Sequence, residues 1–114
     1  MKSNFIAGAL LTLSAAIFMT AASAADIDAD AAKKLAKRND CFKCHAVDKA
    51  KKGPSYMSVA AKYKGKPDGE AKLIKQITTA PKVKLDDGTE EDHKIIDTKD
   101  QKELKNLVGW ILSL

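Results

Sequence analysis

The residues of this chain best suited to chemistry are Cys41-Phe42-Lys43-Cys44-His45. Two thiols three positions apart can each form a thioether to one vinyl group of a single porphyrin. The adjacent imidazole then lies beneath the iron and supplies an axial nitrogen. A C-x-x-C pair also serves thioredoxin-like redox sites and halves of zinc sites. The zinc reading lacks a second cysteine pair. The thioredoxin reading wants a βαβ pattern, whereas the flanks here read helical. The spacing therefore implies one haem c, bound covalently through Cys41 and Cys44, with His45 as proximal iron ligand.

The elements that must position this motif follow from the flanking sequence. The chain has 114 residues, and its first part reads as a leader. Lys2 gives a positive start, Phe5 to Met19 is apolar, and Ala22-Ser23-Ala24 forms an A-x-A cleavage signal. Residues 1–24 are expected to be a signal peptide, leaving 25–114 as one domain exported to the periplasm and not embedded in a membrane. So small a domain needs help to bury enough apolar surface, and a covalent haem supplies it.

Ala29 to Asn39 reads as a first helix with Ala32, Leu35 and Ala36 facing inward. Residues 46–53 form a loop closed by Gly53-Pro54. Ser55 can cap a second helix with Tyr56, Val59, Ala60 and Tyr63 on its inner face. A third helix spans roughly Glu70 to Thr79, ended by Pro81. Residues 82–96 suit a short hairpin or a compact loop, with Asp87-Gly88 as the turn. Thr98 and Gln101 form a capping box for a last helix. Its apolar stripe is Leu104, Leu107, Val108, Ile111 and Leu112. The expected fold is all-α, about four helices around one haem.

Charge is unevenly placed. Residues 33–66 hold eleven Lys/Arg against Asp40 and Asp48, while 67–114 hold eight Lys against ten Asp/Glu. A basic face around the haem segment suits steering towards an acidic redox partner. Nucleic acid is a poor match for an exported chain without an aromatic-basic motif.

With these pieces placed, the chain resembles a small class I c-type cytochrome, close to the short bacterial monohaem forms. The matching stretches are Cys41 to His45, Lys52-Gly53-Pro54-Ser55-Tyr56, residues 59–65 and Val108-Gly109-Trp110-Ile111-Leu112. The resemblance implies the cytochrome c fold, with first and last helices crossing against the haem and Leu35 and Ala36 near Leu107 and Ile111. It also implies that the Pro54 carbonyl holds the His45 imidazole. One departure stands out: the family's distal Met, flanked by prolines, is missing from Thr79 to Leu85.

In the family's terms that leaves few candidates for the sixth iron ligand. Beyond the leader the chain has one Met, Met57, and two His, His45 and His93. Met57 falls on the stretch the family keeps beside the proximal His. His93 falls in the segment that delivers the distal ligand, with Ile95 and Ile96 available to pack it. His93 is the expected distal ligand and Met57 the alternative. A second imidazole lowers the potential relative to a thioether. Asp86, Asp87, Glu90, Glu91 and Asp92 beside the haem would favour ferric iron further.

The expected function is one-electron transfer between redox partner proteins, not enzymatic catalysis, with Lys43, Lys49, Lys51, Lys52, Lys62 and Lys64 as a docking rim. The alternative is a five-coordinate haem protein that binds or senses small gases. A peroxidase-like role, with His93 near but not on the iron, is a third.

Overall fold

Helix α1, Ala29–Arg38, begins where Asp28 caps it, the carboxylate accepting from the Ala31 N–H at 2.9 Å. Asp30 in its first turn and Lys37 and Arg38 in its last complement the helix dipole. The structure, a computed structural model, describes residues 26–114. The expected signal peptide lies outside the described residues.

After α1 come a 3-10 turn, Cys41–Lys43, and helices α2, Tyr56–Tyr63, and α3, Gly69–Thr78. Strands β1, Lys82–Lys84, and β2, Glu90–Asp92, precede helix α4, Gln101–Leu112. Ser55 caps α2 as expected, accepting from the Ser58 N–H at 3.1 Å. The strands pair antiparallel with Val83 opposite Glu91, so the hairpin forms rather than an irregular loop. Gly88 at φ +85° makes its turn.

The cap of α4 differs from expectation. Asp100, not Thr98, accepts from the Lys102 N–H at 2.8 Å. Thr98 instead donates to the Glu103 carboxylate and receives the Asp100 N–H at 3.1 Å. The buried face differs too: Trp110 is buried, and Leu112 is only half-buried. A single amphipathic stripe would leave Trp110 out. Here α4 packs against α1, α2 and α3, so its apolar face must be wider than one stripe.

The core joins the two ends of the domain. Ala32 and Ala36, both 0% exposed, let α1 approach α4, where Leu104, Leu107 and Val108 are fully buried. A reciprocal pair fixes their register: the Asp28 N–H donates to Asn106 Oδ1, and Asn106 Nδ2 donates to the Asp28 carbonyl, each at 2.8 Å.

A polar network ties the segment before α4 to the end of α1. Arg38 donates twice to Asp97, at 3.0 and 3.2 Å. Buried Asn39 donates to Asp97 at 3.0 Å and accepts the Asp97 N–H at 2.9 Å. The Arg38 hydrogen bond, then that from Asn39, holds the Asp97 carboxyl below its ordinary value of 3.8. A depressed carboxylate contributes stability that is present above its unfolded value and lost as pH falls through its folded one. Asp97→Asn is therefore expected to lower the melting temperature at neutral pH. The gap to wild type should close below about pH 3.8 in a melting series read by far-UV circular dichroism.

Candidate functional site

The motif turns sharply because Asp40 takes a left-handed conformation, φ +58°, which Asp tolerates better than most residues. The next backbone bonds wind inward: Lys43 N–H to the Asp40 carbonyl at 3.0 Å, Cys44 and His45 N–H to the Cys41 carbonyl at 3.2 and 2.9 Å. Cys41, Cys44 and His45 thereby line one cavity of about 1030 Å³. Phe42 points elsewhere, its ring edge-on to Tyr56 at 6.0 Å. Both thiols are free. Burial pushes the Cys41 thiol up.

His45 is gripped from three directions. Its Nδ1 lies 2.7 Å from the Pro54 carbonyl. A carbonyl only accepts, so Nδ1 carries the proton and Nε2 keeps its lone pair, on a residue that lines the cavity. Burial, the largest effect, pushes its pKa down and favours the neutral, ligating form. Gly53 packs so tightly that a Cβ there would meet His45 Cε1 at 2.6 Å. Tyr56 stacks on the ring, centroids 5.1 Å apart and planes 19° from parallel.

His93 follows β2, its N–H donating to the Pro81 carbonyl at 2.9 Å. Its Nδ1 lies 2.9 Å from the Lys94 carbonyl, which by the same reasoning leaves Nε2 as a lone-pair donor. The two imidazole centroids are 6.2 Å apart with planes 43° inclined. Two imidazoles on opposite sides of one metal, each bonded at about 2.0 Å, would have centroids roughly 6 Å apart. The spacing, the free Nε2 atoms and the two thiols on one wall all fit a haem.

Met57 is 51% exposed on α2 and does not line the cavity. Ile96 is buried, its N–H bonded to the Ile77 carbonyl at 2.8 Å, whereas Ile95 is 56% exposed. Apolar walls come from α4 through Leu107, Val108 and Ile111. Of the six rim lysines, Lys43, Lys51, Lys52 and Lys62 line the cavity. Lys64 instead donates to the Leu114 carbonyl at 2.8 Å.

Two features were not evident from sequence. Tyr56 was legible as an inward residue of α2, but not as the plate behind His45. Two ion pairs also bridge the cavity's banks: Lys52 to Glu91 at 2.9 Å and Lys94 to Asp40 at 3.1 Å. Their partners lie 39 and 54 positions apart, beyond any local pattern.

The same fold recurs in known proteins. The family model for cytochrome c matches residues 29–114. Cytochrome c-552 of Nitrosomonas europaea is 32% identical over 111 residues, covering 88% of this chain and 90% of its own. Cytochrome c-551 of Pseudomonas denitrificans is 42% identical over 50 residues, a match spanning 44% of this chain and 61% of that relative. Among solved structures, the class 1 cytochrome MtoD of Sideroxydans lithotrophicus ES-1 superposes with a TM-score of 0.74 at 58% identity. That match covers 77% of this chain and 97% of MtoD. The crystal structure of the N. europaea cytochrome c552 gives a TM-score of 0.56 at 30% identity, over 71% and 96% of the two chains. A helical fold closed by its first and last helices, a C-x-x-C-H turn opening onto a cavity and a family match across both lead to one conclusion: this chain is a class I monohaem member of the cytochrome c family, a family of electron carriers, with haem c as its cofactor.

Proposed function

We propose that this protein is a periplasmic one-electron carrier of low potential, its haem joined to Cys41 and Cys44 and its iron held between His45 and His93. The observation that carries this reading is the 6.2 Å spacing of the two imidazoles, each with Nδ1 on a main-chain carbonyl. A ligating histidine whose other nitrogen is hydrogen-bonded is fixed in tautomer and orientation and is a stronger base. When bound, haem supplies an iron that cycles between ferric and ferrous states. The chain's own residues hold the ligands still, so that little reorganisation accompanies the electron, and shield the proximal side with Tyr56 and α4.

Low potential follows from the axial set, since a second imidazole lacks the preference of a thioether for ferrous iron. Asp86, Glu91 and Asp92 line the cavity too, but Lys52 and Lys82 pair with the last two, so the ligands are the stronger influence. The lysines at the cavity mouth suit an acidic partner surface. Export rests on the leader sequence. No described helix is long and apolar enough to cross a membrane. A carrier role asks no side chain to act as acid, base or nucleophile.

The test is the absorption spectrum of ferric and ferrous protein, wild type beside His93→Ala. A low-spin wild type without the long-wavelength Met–iron band, turning high-spin in His93→Ala, is expected. A ferric wild type already high-spin, binding carbon monoxide readily once reduced, would move the protein to the gas-binding class.

A further inference from the structure

His93 is the least supported of the candidate ligands. His45 sits in a turn wound against α1 and backed by a buried tyrosine. His93 follows a hairpin of two three-residue strands, and a hairpin that short is marginal by itself in water. Its base is closed by the His93 N–H on Pro81, within the same excursion of chain.

What fastens this excursion to the body is specific. Among the described residues, the polar links from 82–95 to the chain outside 81–95 are Lys52–Glu91 and Lys94–Asp40. They stand astride His93, two residues before it and one after. Each also ends on the proximal bank. Lys52 directly precedes the Gly53-Pro54 step that holds His45, and Asp40 directly precedes Cys41. The pairs thus cross from the segment carrying one imidazole to the segment carrying the other.

We propose that Lys52, Glu91, Asp40 and Lys94 are positioning residues for the distal ligand: two ionic straps that hold His93 in place and make its release sensitive to salt. The proposal rests on the reading above that His93 binds iron. All four side chains are about half exposed, 49% and 43% for Lys52 and Glu91, 56% and 47% for Lys94 and Asp40. Exposed pairs of this kind change an equilibrium by a factor of about two to five. They are screened when the Debye length shrinks from roughly 30 Å at 0.01 M to roughly 3 Å at 1 M salt. Two in parallel multiply, because opening the segment breaks both.

The experiment is cyanide binding to the ferric holoprotein, followed in the Soret band by stopped flow. At saturating cyanide the observed rate is the rate at which the distal ligand departs. Lys52→Gln and Asp40→Asn are each expected to raise that limit about threefold, and the double variant about tenfold. Asn suits the left-handed backbone at position 40. Raising salt from low to molar should accelerate wild type by a similar factor and leave the double variant unchanged. Exchanging the charges, Lys52→Glu with Glu91→Lys, should restore the wild-type rate relative to Lys52→Gln, which loss of packing alone would not do.

Strap variants that bind cyanide at the wild-type limit, or a full salt effect surviving in the double variant, would overturn the straps. His93→Ala separates this from failure of the underlying reading. If it removes the limit while the strap variants do not move it, only the straps fall. If it binds cyanide no faster than wild type, His93 is not on the iron and both fall together.

Discussion

Gly53→Ala is expected to destabilise the protein by about 2–4 kcal/mol and to displace the His45 imidazole, although it adds one methyl group. The added Cβ would lie 2.6 Å from His45 Cε1, 2.9 Å from Nδ1 and 3.2 Å from the Cys44 carbonyl oxygen. None of these can yield cheaply. The ring is backed by Tyr56, its Nδ1 is bonded to Pro54, and the Cys44 carbonyl accepts the Gly53 N–H at 2.7 Å. Relief must come from displacing the imidazole, which strains or breaks the Pro54 hydrogen bond. In a domain of this size such a loss lowers the melting temperature by roughly 10–25 °C. A loss of stability without any change in the haem spectrum would mean that the methyl is absorbed by the loop and not by His45. Gly65→Ala is the control. Its φ of +74° makes alanine strained, yet nothing lies within 4 Å, so stability should fall with the haem spectrum unchanged.

Tyr56→Ala is the second large effect, expected at about 3–5 kcal/mol from the cavity left by a buried aromatic. Tyr56 is 5% exposed and touches three rings: His45 face to face, Trp110 edge-on at 5.7 Å and Phe42 edge-on at 6.0 Å. Truncation removes the plate behind the His45 imidazole and the joint between α2 and α4. Tyr56→Phe keeps the ring and loses only the hydroxyl, which lies beside Cys41. It should cost no more than about 1.5 kcal/mol and preserve the spectrum. Denaturant unfolding read by circular dichroism compares the three proteins. Equal losses for Ala and Phe would show that the hydroxyl, and not the stacked ring, carries the effect.

These residues also mark how far the sequence could be read. Ala32, Leu35 and Ala36 on α1, and Leu104, Leu107, Val108 and Ile111 on α4, were legible because a 3.6-residue period states which side is buried. Cys41, Cys44 and His45 were legible because their spacing is set by the porphyrin they would serve. Trp110 was not, because it lies off the stripe and packs edge-on to Tyr56 of α2, a contact that periodicity does not state. The α4 cap was misplaced because Thr98 and Asp100 both have side chains that can cap, and only the backbone path decides between them. The Asp97 network and the pairs across the cavity join residues 39 to 59 positions apart, and a single sequence does not state such pairings.

The crossing of α1 with α4 has a consequence in time. Four of the nine clustered core residues, Leu104, Leu107, Trp110 and Ile111, come from α4, so the chain cannot close its core until its last helix is available. Contacts between such distant segments carry a larger loop-closure cost than local ones and slow folding. Until then residues 41–45 remain uncovered, and the thiols that are half-buried in the finished fold are open to whatever delivers the porphyrin. Haem attachment is therefore expected to precede closure of the fold, the site being accessible while the chain is open and covered once the final helix docks.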